Sequence, residues 1–165
     1  MTEDIGDLVR AAQGGDTVAM NDLLDRLAPY VGRICAPIAL ANAADAAQEA
    51  LIAVFRSLPG LREPEAVFGW ARTIAVREAI KVSRAAERQV PADLTELPAR
   101  TDPQTLVDLW DTLARMSPEH RAVLVLRDLE GLDERAVAAL LDVPAGTAKS
   151  RLNRARVSFR KAWRA

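Results

Sequence analysis

Apolar residues recur at helical spacing along almost the whole chain, and no segment keeps the alternating pattern of a half-buried strand. Helix start and stop signals separate these segments, such as the N-cap residue Asp16 after Gly14-Gly15 and the pair Ser117-Pro118. Apolar residues make up 50% of the sequence, with Ala, Leu and Val the most frequent among them, and only 4% of residues are aromatic. That composition suits small helical bundles better than a sandwich or a barrel. The sequence therefore predicts an all-α protein.

The predicted helices fall into two groups separated by residues 89–101. In the first group, Thr2 is the expected cap of a helix through Gln13, Pro29 is expected to begin or kink a helix, and further helices cover 45–58 and 65–88. Residues 89–101 contain two prolines, scattered acids and little periodicity, which is typical of an exposed, flexible linker. Helical signals resume at Asp102-Pro103. We therefore expect two small helical domains, 1–88 and 102–165, joined by the linker 89–101.

Several classes of protein are disfavoured by what the sequence lacks. The single cysteine, Cys35, and the single histidine, His120, exclude a disulfide framework and a Cys- or His-rich metal site, and no cofactor is expected. Acidic residues follow Met1, so the start does not resemble a secretory signal. Uninterrupted apolar runs are far shorter than a membrane span. We expect a soluble, cytoplasmic protein with no membrane insertion and no catalytic residues.

Charge is distributed very unevenly along the chain, whose formal net charge is only −1. The last 22 residues, 144–165, carry seven Lys or Arg side chains and no Asp or Glu. The other 143 residues hold 15 basic and 23 acidic side chains. A cationic helix that follows a compact apolar hairpin is typical of a DNA-reading element. A solvated basic tail is the alternative that composition alone would favour.

The residues before this helix favour DNA binding. Asp133 is a predicted N-cap of a short helix that reaches Leu141, Asp142-Val143 forms a tight turn, and Pro144 opens the last helix. Two short helices joined in this way predict a helix-turn-helix. Ala148, Leu152, Ala155 and Phe159 should pack on the hairpin. The opposite side should then present donors for phosphates and base edges, namely Thr147, Lys149, Ser150, Arg151, Asn153 and Arg154.

Stretches in both halves of the chain resemble a known protein family. The strings MSPEHRAVLVLRDLEGL and ERAVAALLDVPAGTAKSRLNRAR, within residues 113–156, resemble region four of bacterial sigma factors. In the N-terminal half, DAAQEALIAVFRSL resembles the region-two helix that grips RNA polymerase, with Asp45, Gln48 and Glu49 matching its polar pattern. Leu51, Ile52 and Phe55 stand at its apolar positions. Residues 70–75, WARTIA, resemble the core of the promoter-melting helix.

The resemblance covers nearly the whole chain and has the two-domain plan of the extracytoplasmic-function (ECF) group. It implies an alternative sigma subunit that binds core RNA polymerase through Asp45, Gln48, Glu49 and Ile52 and directs it to promoter DNA. The second domain would read the minus-35 element and the first would open the minus-10 element. The resemblance also allows for sequestration by an anti-sigma factor.

Two residues of the melting helix depart from the family pattern. Arg77 and Lys81 stand where the family commonly has Asn and Asp, and with Arg84 they share one helix face. This face is expected to contact single-stranded promoter DNA, chiefly through phosphates. Ion pairs with Glu78 or Glu87 are the competing interpretation.

Two other functions remain as alternatives. A helix-turn-helix regulator that is not a sigma subunit would share the C-terminal hairpin, but it usually carries a receiver or ligand-binding domain upstream. An enzyme is the third option, although the sequence offers no assembled nucleophile, base or metal site.

Overall fold

The computed structural model describes residues 4–88 and 103–164, and within them it is helical with no β-strand. The α-helices of this part of the chain are α1 (Ile5–Gln13), α2 (Thr17–Ala39), α3 (Ala43–Ser57), α4 (Val67–Arg88), α5 (Pro103–Ala114), α6 (Pro118–Leu124), α7 (Glu134–Leu141) and α8 (Ala145–Trp163). Short 3₁₀ turns flank α3 and precede α4, and a π-helical turn, Val125–Leu129, extends α6. The predicted all-α class is confirmed.

Three of the described helices begin at capping residues that the sequence indicates. Asp16 Oδ1 accepts hydrogen bonds from the N–H groups of Val18 and Ala19, at 2.9 and 3.1 Å. Ser117 caps α6, and Asp133 caps α7 by accepting from the N–H of Ala136 at 2.8 Å. The start of α1 differs from the prediction, because Asp4 is its cap. Thr2, the linker 89–101 and Asp102 lie outside the described residues.

Helix α2 continues through Pro29, so no helix begins there, which was one of the two alternatives that the sequence left open. Both Pro29 and Pro37 lie inside the single helix Thr17–Ala39. An interior proline costs about 3 kcal/mol because a backbone hydrogen bond is lost. The same helix buries Leu23, Leu27 and Val31 completely. Each large apolar side chain contributes about 1.5–3 kcal/mol on burial, so packing outweighs the local penalty.

The N-terminal half is a bundle in which α2, α3 and α4 pack on one another and α1 packs on α2. Its core consists of small and branched apolar side chains, including Val9, Leu27, Ile38, Ala50, Val54, Val67 and Ala75. The alanines let α3 and α4 approach closely.

In the C-terminal half, α8 packs on α5, α6 and α7. Leu126, Val123, Ala122 and Ala155 are fully buried there. Helix α6 also packs on α2 and α4, so the two halves touch each other.

One helical stretch, Thr17–Gly60, includes an 18-residue window with a mean hydropathy of 1.3, which is apolar enough to cross a membrane by length and composition. This is weak evidence for a membrane span, because the core helix of a soluble protein passes the same test.

Candidate nucleic-acid interface

The turn between α7 and α8 has the geometry that a helix-turn-helix requires. Asp142 adopts a left-handed conformation, with φ 54° and ψ 51°, and ends α7. The N–H of Val143 then donates to the carbonyl of Ala138 at 3.0 Å. A short polar residue such as Asp tolerates this conformation better than most residues do. The chain can therefore reverse and start α8 at Ala145 immediately after the turn.

Helix α8 has one buried side and one exposed side, as predicted. Ala148, Leu152 and Ala155 are buried against the hairpin, and Phe159 is partly buried and stacks on Trp163 with ring centroids 5.9 Å apart. On the other side lie the polar residues that the sequence singled out. Lys149, Ser150, Asn153 and Arg154 are exposed, and Thr147 and Arg151 are half-buried at the edges.

The cations on the N-terminal part of α8 are available to an external anion. Lys149, Arg151 and Arg154 form no ion pair with any described residue, whereas Arg156 pairs with Asp128 at 2.6 Å. Arg151 lies close enough to His120 to affect its titration: burial first, and the Arg151 charge second, hold the pKa of His120 below its usual value. Repulsion between neighbouring cations of this kind is relieved when an anion binds.

The cations of α4 have partners in the structure. Lys81 pairs with Glu78 at 3.0 Å and Arg84 pairs with Glu87 at 2.8 Å, which are the intrahelical contacts that the competing interpretation named. Arg84 also donates two hydrogen bonds to Glu119 on α6.

Arg77 is exposed and reaches the C-terminal half, donating to the carbonyl oxygen of Leu140 at 3.3 Å. The sequence indicated the face that Arg77, Lys81 and Arg84 share, but not these partners from the other half of the chain.

A second exposed surface lies on α3. Asp45, Gln48 and Glu49 are exposed and Ile52 is half-buried, so one side of the helix carries all four. Phe55, which stands at an apolar position of the sequence pattern, is 53% exposed. The core positions of this turn are taken by Val54 and Leu58, which are fully buried. Phe55 follows Ile52 by three residues, so it extends the α3 surface as an apolar patch.

A groove of about 930 Å³, which no sequence pattern predicted, lies where α2, α5, α6 and α8 meet. Ala36 and Pro37 line it from the N-terminal half, and Leu109, Trp110 and Phe159 line it from the C-terminal half. The helices that line this groove are far apart in the sequence. A pattern within one segment of the sequence therefore cannot predict it.

Comparison with known proteins assigns both halves to one class. The family model described as Sigma-70 region 2 matches residues 20–89, and the model described as Sigma-70, region 4 matches residues 106–158. The fold and the helix-turn-helix site thus define a transcription initiation factor of the sigma-70 class.

Relatives that match nearly the whole chain identify the group within this class. An ECF RNA polymerase sigma-E factor of Haemophilus influenzae is 30% identical over 94% of this chain and 94% of its own length. The protein of the same description from Escherichia coli K12 is 29% identical over 94% of this chain and 93% of its own. The chain belongs to the ECF group of RNA polymerase sigma factors. It is an alternative sigma factor, and a helix-turn-helix regulator that is not a sigma subunit is not favoured because region 2 is present.

Solved structures share the fold of the chain. CnrH in complex with the cytosolic domain of CnrY has a TM-score of 0.66 at 18% identity and covers 96% of both chains. The sigma factor RpoE of Bartonella quintana, in complex with the anti-sigma factor NepR, has a TM-score of 0.64 at 19% identity. It covers 88% of this chain and 96% of its own.

Proposed function

We propose that the two halves of this sigma factor divide promoter recognition between them. Residues 102–165 read the minus-35 element through α8, with Thr147, Lys149, Ser150, Arg151, Asn153 and Arg154 at the DNA. Residues 1–88 bind core RNA polymerase and open the minus-10 element, where Arg77, Lys81 and Arg84 contact the separated strand. The observation that carries this proposal is the exposed cationic side of α8, which follows a left-handed turn and has no ion-pair partner on its N-terminal part within the described chain.

Different residues of α8 have different roles in this proposal. The exposed Arg154 and the half-buried Arg151 bind phosphates, which position the helix without reading sequence. Lys149, Ser150 and Asn153 are exposed and reach base edges in the major groove. The protein acts by binding alone, polymerase supplies the catalysis, and the site of action is the cytoplasm.

The polymerase-binding surface is the exposed side of α3. Asp45, Gln48 and Glu49 supply polar contacts there, and Ile52 and Phe55 supply the apolar contact area. A large aromatic side chain that is 53% exposed beside charged residues is typical of a protein-protein interface.

An anti-sigma factor is the second protein partner that we propose, and the groove between the halves is its docking site. The structural neighbours CnrH and RpoE are described in complex with CnrY and with the anti-sigma factor NepR. The exposed basic groove residues are Arg33, Arg156 and Arg160, of which Arg156 pairs with the groove residue Asp128. Apolar walls with a basic rim fit an acidic amphipathic helix.

The α3 proposal is tested by the double substitution Gln48→Ala, Glu49→Lys. Both side chains are exposed and form no ion pair or side-chain hydrogen bond with the described residues, so helicity and stability should not change. Association with core polymerase in gel filtration should weaken by at least tenfold, equivalent to about 1.4 kcal/mol.

Asp25→Lys is the matched control, because it changes the charge equally at an exposed position of α2. Holoenzyme assembly at wild-type affinity by the α3 variant would show that polymerase binds elsewhere.

A further inference from the structure

Helix α1 makes polar contacts with the loop that joins α3 to α4, residues 58–66. The side-chain amide of Gln13, the last residue of α1, donates from Nε2 to the carbonyl oxygens of Leu58 at 2.9 Å and Leu61 at 2.8 Å. These acceptors are 45 and 48 positions away along the chain. One side chain of α1 therefore bridges both sides of the turn Leu58–Gly60.

The other end of this loop is held by an ion pair. Arg10 Nη1 lies 2.7 Å from Glu65 Oε1, and Arg10 Nη2 lies 2.9 Å from Asp7 Oδ1. Gly6 leaves space for the contact, because a Cβ at this position would stand 2.6 Å from the same oxygen of Glu65. An exposed pair of this kind contributes little to stability. Together with Gln13, however, it restrains the loop at both ends.

These polar contacts are separate from the packing that anchors α1. Helix α1 packs on α2 and buries the side chains of Leu8, Val9 and Ala12. Apolar burial of this kind holds a helix on a bundle without help from exposed polar side chains. We therefore attribute the contacts of Gln13 and Arg10 to the shape of the loop and not to the attachment of α1.

The restrained loop carries a cation that is available to an external anion. Arg62 is exposed and forms no ion pair or side-chain hydrogen bond with another residue of the described chain. Pro59 and Gly60 beside it are exposed as well, so a ligand can approach the loop. A loop that is ordered before binding avoids the entropy cost of being immobilised by its ligand. An arginine on such a loop is well suited to bind a phosphate.

The place of the loop in the chain indicates which phosphate it meets. The loop leads directly into α4, the helix whose cations the proposed function places on the separated promoter strand. We infer that Gln13 and Arg10 are positioning residues for promoter opening, and that they hold the loop so that Arg62 contacts a phosphate of this strand. The inference rests on the proposed function and adds α1 and one contact residue to it. Gln13 and Arg10 themselves do not contact DNA.

The contact is tested with Arg62→Ala in the full chain, assembled with core polymerase. Holoenzyme is titrated onto a promoter that the wild type selects from a randomised library, and permanganate reactivity of unpaired thymines measures the open complex. The salt slope of open-complex affinity should fall by about 0.7, because one single-strand phosphate contact is lost. Arg26→Ala, which removes the same charge at an exposed position of α2, should keep the wild-type slope.

The positioning role is tested with Gln13→Ala. Open-complex affinity should fall by about 2- to 12-fold, the range for one side chain that has to be immobilised on binding. Affinity for core polymerase and selection at the minus-35 element should not change. Asn21→Ala is the matched control, because it removes an amide that is exposed on α2 and has no side-chain hydrogen bond within the described chain.

A second variant keeps this test decisive if Gln13→Ala loses helicity by circular dichroism. Glu65→Gln weakens the ion pair with Arg10 at the other end of the loop and keeps the size of an exposed side chain. It should lower open-complex affinity in the same direction as Gln13→Ala. Wild-type affinity in a folded Gln13→Ala or in Glu65→Gln would refute the positioning role.

A double variant distinguishes positioning of Arg62 from a general structural effect. When Arg62→Ala is already present, the loop has no cation to place on the strand. Gln13→Ala should then lower open-complex affinity no further, so the two substitutions should be strongly non-additive. Additive effects would show that Gln13 acts on opening through the bundle and would overturn the inference.

The remaining outcomes separate this inference from the proposed function. If Arg62→Ala kept the wild-type salt slope while Arg77→Ala with Lys81→Ala reduced opening, the inference would fail and the proposed function would stand. Weaker binding of Arg62→Ala to core polymerase would assign the loop to polymerase and also refute the inference. If the Arg77 and Lys81 substitutions left opening unchanged as well, the proposed function would be wrong and the inference with it.

Discussion

Removal of Arg154 tests whether the exposed side of α8 lies on the DNA backbone. The guanidinium is exposed and forms no ion pair with the described residues. Arg154→Ala should therefore change the free energy of unfolding by no more than about 0.5 kcal/mol. Loss of one phosphate contact should lower the salt slope of DNA affinity by about 0.9. Across a fourfold rise in salt, the affinities of the wild type and the variant should converge by about 3.5-fold.

Lys149→Ala should behave differently, because Lys149 is exposed one turn from the start of α8 and is placed at base edges. Loss of a base contact costs about 1–3 kcal/mol at a single promoter position, which is roughly 5- to 150-fold in preference. The preference at the other positions should stay as it is. The two variants therefore distinguish residues of α8 that position the helix on the phosphates from residues that read base edges.

The assay is selection from a randomised minus-35 library by holoenzyme reconstituted with core polymerase, at two salt concentrations about fourfold apart. Arg164→Ala is the matched control, because it removes the same charge about 15 Å further along the axis of α8, at the C-cap of the helix. If Arg154→Ala and Lys149→Ala both kept the wild-type salt slope and base preference, the exposed side of α8 would not be the DNA surface.

Two further predictions concern the stability of the helix-turn-helix and the titration of its neighbour. Asp142→Val should destabilise the protein by about 1–2 kcal/mol in urea unfolding, because a β-branched residue resists the left-handed φ of 54° at this turn, whereas Asp142→Gly should not destabilise it. Equal unfolding midpoints would contradict the turn geometry. NMR titration of the single histidine should give a pKa for His120 below 6.5, since burial and Arg151 both disfavour its charged form. The unfolded chain then binds more protons, so stability should fall as pH drops through 6.5, and a pKa above 6.5 would contradict the burial of His120.

Local signals in the sequence predicted the features that depend on a few neighbouring residues. Asp16, Ser117 and Asp133 cap helices because a side-chain oxygen next to a helix start accepts the free N–H groups. Asp142 takes the left-handed conformation that the hairpin requires. The buried side of α8 likewise follows from the helical period. These contacts lie within one or two turns of the chain, so sequence alone specifies them.

The features that the sequence did not predict depend on residues far apart in the chain or on packing in the core. The sequence cannot show that Tyr30 bonds Glu130, because the two are 100 positions apart. Arg84 similarly meets Glu119 across 35 positions. No helix begins at Pro29, because the packing of α2 in the bundle keeps one helix continuous from Thr17 to Ala39. Phe55 fits an apolar pattern but lies on the surface, because Val54 and Leu58 already fill the core. Tertiary packing decides each of these cases.

The most direct test of the central claim is initiation by purified core RNA polymerase, free of other sigma factors, on a library of randomised promoters. With this protein present, we expect initiation from a subset of templates that share two separated sequence elements, and none of that selection with core alone. The Gln48→Ala, Glu49→Lys variant should reduce initiation without changing which templates are selected. If the protein bound DNA yet left initiation by core polymerase at the level of core alone, it would not be acting as a sigma factor.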